Sequence, residues 1–140
     1  MPQLHVDIVS AEGNIHSGEA QMVFAPAEMG EVGIAPRHAP LLTRLKPGTL
    51  RVQTPDGQML PFFVSGGILE VQPHLVTVLA DTALHPKDAD EAAAQAAKAQ
   101  AEQRLAGAST ETDMAKAQIE LVEAAARLEF VRKLRGPSHH

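Results

Sequence analysis

Apolar and polar positions alternate almost from the start of the chain. In Leu4-His5-Val6-Asp7-Ile8-Val9 the residues Leu4, Val6 and Ile8 share one face of an extended segment, because successive strand side chains point to opposite sides. Arg51-Val52-Gln53-Thr54 and Leu75-Val76-Thr77-Val78-Leu79 repeat the period of two. Short runs rich in Val, Ile and Thr suit a pleated, half-buried surface and predict strands near 3–10, 20–25, 31–35, 40–45, 49–54, 58–64, 67–72 and 75–80. Between two of them, Thr54-Pro55-Asp56-Gly57 reads as a turn: proline presets φ, Asp bonds its own backbone and Gly accepts positive φ. Many short strands at this spacing indicate a sandwich or barrel.

The pattern changes near Pro86. Asp88, followed three residues later by Glu91, reads as a helix N-cap with its reciprocal partner. Residues 89–106 then hold nine alanines, the strongest helix former. Gly107 offers a stop in the left-handed conformation. Thr110 and Asp113 mark a second start, and Gly136-Pro137 an end after about Arg135. Met114, Ala117, Leu121, Ala124, Leu128 and Val131 form one apolar stripe, widened by Ile119, Val122, Ala126 and Phe130. The expected fold is mostly β with an α appendage: an N-terminal β-sandwich over 1–85, then an antiparallel two-helix hairpin over 86–140. Alanine offers little apolar area, so the hairpin should be weakly held.

Composition narrows the function more than the fold. With 140 residues the chain can bury a core unaided. It has no cysteine, which excludes disulfides and Cys-based metal sites. A formal net charge of −5 argues against a general nucleic-acid binder. No apolar run approaches the roughly 20 residues that span a bilayer, and the start, Met1-Pro2-Gln3-Leu4, resembles neither a signal nor a transit peptide. The expectation is a soluble, cytosolic protein. Tyr and Trp are absent, so a partner surface must rely on aliphatic groups, backbone and charge.

Candidate chemistry is sparse. There is no phosphate-cradling loop and no His-Glu-x-x-His. The seven histidines never fall at close ligand spacing except His139-His140, read as a tail or tag remnant rather than a metal site. Ser65, in Phe63-Val64-Ser65-Gly66-Gly67, sits between strands and lacks the nucleophile-elbow pattern; a tight turn needing small residues is the better reading. Asp7, Glu31, Glu70 and Asp81 could pair only if the fold brings them together. The segment Gly30-Glu31-Val32-Gly33-Ile34-Ala35-Pro36-Arg37-His38-Ala39-Pro40 reads as a strand ending in a kinked connection, or as an exposed loop that offers Glu31 and His38 to a partner. Arg127, Arg132, Lys133 and Arg135 complement a helix dipole. Four cations exceed what capping requires, so an acidic partner is the competing reading.

The stretches Gly30-Glu31-Val32-Gly33-Ile34-Ala35-Pro36-Arg37-His38-Ala39-Pro40-Leu41-Leu42-Thr43, Val64-Ser65-Gly66-Gly67-Ile68-Leu69-Glu70-Val71-Gln72-Pro73 and Val76-Thr77-Val78-Leu79-Ala80-Asp81-Thr82-Ala83 resemble the epsilon subunit of bacterial F-type ATP synthases. With Val9-Ser10-Ala11-Glu12 and the helical tail, the resemblance spans nearly the whole chain. It implies a non-catalytic central-stalk subunit without a cofactor, peripheral on the cytoplasmic face of the inner membrane. Its partners would be the gamma subunit, the c-ring and the alpha/beta catalytic head, with no nucleic acid and no bilayer insertion. The rotor contact would run through Glu31, Val32, Arg37 and His38. The hairpin, when extended, would inhibit ATP hydrolysis by presenting Arg127, Arg132, Lys133 and Arg135 to the beta subunit. Members that bind ATP carry Ile/Leu-Asp-x-x-Arg-Ala, whereas this chain has Ala89-Asp90-Glu91-Ala92-Ala93-Ala94. Without the arginine, ATP binding should be weak or absent. A free-standing sandwich binding module, or an enzyme with accessory helices, is the alternative.

Overall fold

The structure is a computed structural model and describes residues 3–134. Ten strands come first: β1 (Leu4–Ser10), β2 (Gly13–Ala20), β3 (Met22–Ala27), β4 (Gly30–Ile34), β5 (Leu41–Leu45), β6 (Gly48–Gln53), β7 (Met59–Val64), β8 (Gly67–Val71), β9 (Leu75–Ala80) and β10 (Ala83–Leu84). A short 3-10 turn, Pro86–Asp88, precedes α1 (Glu91–Ala106) and α2 (Glu111–Leu134). The chain divides into two compact units, Met1–Lys87 and Asp88–His140.

The strands run in the order β10-β7-β6-β3-β5-β8-β9-β1-β2, with β4 paired to β3 off that path. All pairings are antiparallel except β1 with β9. One strand serves both halves of the sheet: Met22, Val23 and Phe24 of β3 pair with β6, while Ala27 pairs with Leu45 of β5. The sheet thereby folds into a sandwich around one core. That core takes Leu4, Val6 and Ile8 from β1, Leu50 and Val52 from β6, Phe62 and Val64 from β7, and Val76 and Val78 from β9. Each such side chain contributes on the order of 1.5–3 kcal/mol when buried. Strict alternation along β1 therefore holds its register, since a one-residue slip would turn every apolar side chain to water.

Two strands lie outside the sequence expectation, and a third is shifted. β2 is mostly polar and pairs only with β1; its inward side brings Ala20 to the core and His16 against Phe62, too few apolar side chains to show a one-sided period in the sequence. The two-residue β10 closes the opposite edge against Phe63 and Val64. The strand expected near 20–25 instead occupies Met22–Ala27. The Thr54–Gly57 turn forms as read, with Gly57 at φ +90° and its N–H donating to the Thr54 carbonyl at 2.9 Å.

The small residues at 65–67 have a structural cause. Ser65 Oγ accepts from the Thr82 N–H at 2.8 Å, and the Ser65 N–H donates to the Thr82 carbonyl at 2.9 Å. This hydroxyl pins a strand crossing and is not presented as a nucleophile. Gly67 sits at φ +133°, where an added Cβ would lie 2.1 Å from the Leu79 carbonyl oxygen.

In the helical unit, the cap differs from the expected one. Asp90, not Asp88, is the N-cap of α1: its carboxylate accepts from the Ala93 N–H at 3.2 Å, while Asp88 belongs to the preceding turn. Gly107 ends α1 at φ −92°, so the expected left-handed cap is not used; its N–H bonds the Gln103 carbonyl. Thr110 does cap α2, accepting from the Asp113 N–H at 3.0 Å. Arg104 near the end of α1 pairs with Glu120 near the start of α2, and Glu91 pairs with Arg132 at the far ends. The helices are therefore antiparallel. α1 buries Ala94 and Ala101, both methyl side chains. On α2, Ala117, Ala124, Leu128 and Val131 are buried, but Met114, Ile119 and Val122 are about half exposed or more. Along the first half of α2 the apolar face is narrower than its sequence suggested, because Ile119 and Val122 lie well around the helix from the Ala117–Ala124 row, whereas Phe130 of the second row is buried.

Replacing Gly67 with Ala should lower the stability of the sandwich by about 3 kcal/mol or more, since it combines a positive φ with a backbone collision. Denaturant unfolding measures this, and a loss below about 1 kcal/mol would show that the crossing relaxes easily.

Candidate functional site

β4 is a short rod with a different chemical group at each end. Its alternation turns Glu31 and Gly33 outward and Ile34 inward, while Val32 is half-buried and packs against the core. At the β3–β4 hairpin, Met29 is 96 % exposed, an apolar side chain held out in solvent beside Glu31. Glu31 is not free: its Oε2 accepts from Arg51 Nη2 at 2.9 Å. The Arg51 guanidinium lies 4.6 Å from the centroid of the Phe24 ring. Phe24 pairs with Gly33 on one side and Arg51 on the other. Neither Arg51 nor Phe24 was singled out by the sequence, where they stand 20 and 7 residues from Glu31.

At the other end of β4 the chain turns through Ala35-Pro36-Arg37-His38, with the His38 N–H donating to the Ala35 carbonyl at 3.1 Å. Arg37 takes φ +69°, a conformation glycine would occupy more readily in a turn with proline before it. Its N–H donates to the Pro73 carbonyl at 2.8 Å, which ties the turn to the β8–β9 connection. The Arg37 side chain is exposed, and the half-buried His38 bonds the Ala39 carbonyl through Nδ1 at 2.7 Å. The loop is thus both a kinked connection and a presenting surface. Roughly 10 Å of strand from Glu31 to Ile34 separates Glu31 from this turn.

A separate polar cluster lies across β1 and β2. His5 Nδ1 bonds Glu19 Oε2 at 3.0 Å and its Nε2 bonds Asp7 Oδ1 at 3.0 Å. Ser17 Oγ donates to the same Asp7 oxygen at 2.7 Å. Both ring nitrogens face carboxylate oxygens, which suits the doubly protonated imidazolium. The Glu19 hydrogen bond, reinforced by Asp7, raises the His5 pKa above its ordinary 6.5. The Ser17 hydroxyl, with help from His5, holds Asp7 below its ordinary 3.8. His16, on the opposite face of β2, lies 5.0 Å from the Phe62 ring, and burial, with His85 nearby, pushes its pKa below 6.5. Of the four carboxylates considered from sequence, Asp7 is engaged by Ser17 and His5, and Glu31 by Arg51. No metal-holding cluster of His, Asp and Glu occurs among the described residues.

Two of the four C-terminal cations are partnered. Arg132 Nε lies 3.4 Å from Glu91 of α1, and Lys133 lies 3.0 Å from Glu129 one turn back. Glu129 lies among these cations in the sequence, and the second acid, Glu91, comes from the neighbouring helix. Arg127 has its Nε buried without a hydrogen-bond partner. Arg135 and His139-His140 lie outside the described residues.

Two family models match the chain end to end: the ATP synthase delta/epsilon chain β-sandwich domain over residues 3–86 and the delta/epsilon chain long α-helix domain over 87–131. An ATP synthase epsilon chain of Alkalilimnicola ehrlichii is 59 % identical over 135 residues, covering 96 % of each chain. That of Nitrosococcus oceani is 61 % identical over 132 residues, covering 94 % of each. Among solved structures, a chain of the Euglena gracilis mitochondrial ATP synthase (an OSCP/F1/c-ring assembly) superposes with a TM-score of 0.76 at 19 % identity. The match covers 90 % of this chain and 79 % of that one, and it is a likeness of fold.

The two histidines on β2 and its partner strand act in opposite senses with pH. A raised His5 pKa gives stability that is fully present below 6.5 and lost as pH rises through the raised value. A depressed His16 pKa removes stability as pH falls through 6.5. The stability difference between the wild type and His5→Gln should therefore be largest near about pH 6 and shrink toward about pH 9, with the His16 contribution cancelling between the two. Urea unfolding across that range measures it; a difference independent of pH would show that the His5 bridge is not charged.

Proposed function

The chain belongs to the epsilon-chain family of bacterial F-type ATP synthases, and from that premise we propose that it links the gamma subunit to the c-ring and restrains ATP hydrolysis through its helical arm. Epsilon chains are stalk subunits of this membrane-associated complex and are not themselves catalytic. Among the described residues no helix is long and apolar enough to cross a membrane, which is compatible with peripheral attachment at the cytoplasmic face.

In this reading the sandwich is the rotor anchor. Glu31 and the strained Arg37–His38 turn are its outward contact groups toward the c-ring, with Val32 supporting them from the core side. An exposed hairpin tip with a bare methionine, next to a carboxylate held by arginine, suits a contact that combines one apolar anchor with oriented charge.

The observation that carries the regulatory half is the small side chains that α1 brings to its seam. These are methyl groups, and the two cross-helix ion pairs, Arg104–Glu120 and Arg132–Glu91, are substantially exposed. Exposed pairs of this kind contribute about 0–1 kcal/mol each. A partner that binds the open arm more tightly than the closed one can therefore select it. Arg132 and Lys133 would exchange Glu91 and Glu129 for acidic groups on the beta subunit, with Arg127 and Arg135 completing the basic stretch. Such an exchange conserves ion pairs and shifts the balance to differences in packing.

Removing residues 88–140 should raise ATP hydrolysis by the assembled enzyme by roughly fivefold or more while leaving assembly and proton pumping intact. Unchanged hydrolysis would refute an inhibitory arm. Co-purification with gamma and the head subunits separates this reading from a free-standing binding module. Nucleotide control is not part of the proposal: Asp90 caps α1 and the arginine of the ATP-binding pattern is missing. Isothermal calorimetry with ATP should therefore show no binding at micromolar concentrations, and a micromolar Kd would overturn this.

A further inference from the structure

We infer that Arg51 is a positioning residue that orients Glu31 for its partner, working through the flat face of Phe24. This rests on the reading of Glu31 as a rotor contact and adds the device that aims it. Three neighbouring strands build that device. Gly33 of β4, Phe24 of β3 and Arg51 of β6 are paired in one row across the sheet. Glu31 precedes Gly33 by two residues and so shares its face. A side chain at Gly33 would begin 3.4 Å from Phe24 Cε1 and 3.5 Å from Cδ1. The ring thus lies against the outward face of β4, at van der Waals distance from where a Cβ of residue 33 would stand. The guanidinium then rests 4.6 Å from the ring centroid and reaches Glu31 Oε2 at 2.9 Å through Nη2.

The geometry separates this pair from an ordinary surface ion pair. An arginine in solvent loses rotamer freedom to hold a carboxylate, and the gain is small. Here the ring already restricts the guanidinium, because its plane and charge favour the aromatic face. Glu31 in turn is fixed through Oε2, leaving Oε1 available to accept from a donor on the partner. A long, exposed glutamate that would otherwise be ordered only on binding is ordered beforehand, which lowers the entropic cost of the contact. Lysine at position 51 would keep the charge but lose both the stacking plane and the forked donor.

The test is a double-mutant cycle in the assembled enzyme. ATP synthase stripped of this subunit is titrated with the full-length chain, and the concentration giving half-maximal ATP-driven proton pumping is read. Glu31→Gln should raise that concentration on the order of tenfold. Arg51→Gln should raise it about two- to fivefold. In the Glu31→Gln background, Arg51→Gln should add nothing, since no carboxylate remains to be aimed. Unfolding midpoints of the free chains exclude a folding defect, because Arg51 is solvent-accessible and its loss leaves the core intact. Multiplicative effects in the double variant would show that Arg51 acts independently and would overturn the inference. A harmless Arg51→Gln beside a harmful Glu31→Gln would overturn it while leaving the rotor contact standing. A harmless Glu31→Gln would remove both.

Discussion

The sandwich core sets the facing of every other group in the first unit. Leu4, Val6 and Ile8 on β1 must meet Leu50, Val52, Phe62 and Val64 across the interior, and the period of two along each strand then leaves no choice for the residues between them. His5 and Asp7 face outward because Leu4, Val6 and Ile8 face inward. Arg51 likewise faces outward because Leu50 and Val52 are buried on either side of it. The surface chemistry is thus a consequence of core registration. A carboxylate on such a strand is held by a backbone that cannot slip without exposing several aliphatic side chains.

β3 adds a second constraint. It is shared between the two halves of the sheet, pairing with β6 near its start and with β5 at its end, while β4 follows its whole length. The strand that closes the sandwich is therefore the one that carries Phe24 and supports Glu31. Anything that disturbs the closure also disturbs the setting of Glu31 on β4. The positive φ of Arg37 fits the same logic: one N–H bonded to Pro73 holds an unfavourable conformation in place.

The helical unit obeys a looser rule. Its α1 seam is built from methyl groups and exposed ion pairs, and no strand register pins it. Small side chains permit close approach of two helices but contribute little area. One chain thereby combines a body whose register its core fixes with a helical pair whose first helix brings mainly methyl groups to the seam. That difference follows from residue type: aliphatic β-branched and aromatic side chains throughout the first unit, and in the second alanine along α1, with Leu128, Phe130 and Val131 of α2 as the larger buried groups.

Much of this was written in local pattern. The alternation at Leu4–Val9, the Thr54–Gly57 turn, the alanine-rich start of α1 and the Thr110 cap each depend on residues within a few positions of one another, so the sequence alone determined them. The family resemblance was also legible, because the long Gly30–Thr43 and Val64–Pro73 stretches stand intact in the chain. The tertiary structure decided what depends on distant partners. β2 shows little apolar alternation and is placed by its pairing with β1. Asp90 displaces Asp88 as the cap because the chain spends a 3-10 turn first. Arg51 meets Glu31 only once β6, β3 and β4 lie side by side, since no local rule joins residues that far apart. Hydrogen-bonding groups and side-chain periods are properties of neighbours, whereas pairing across a sheet is set by the order in which the strands assemble around the core.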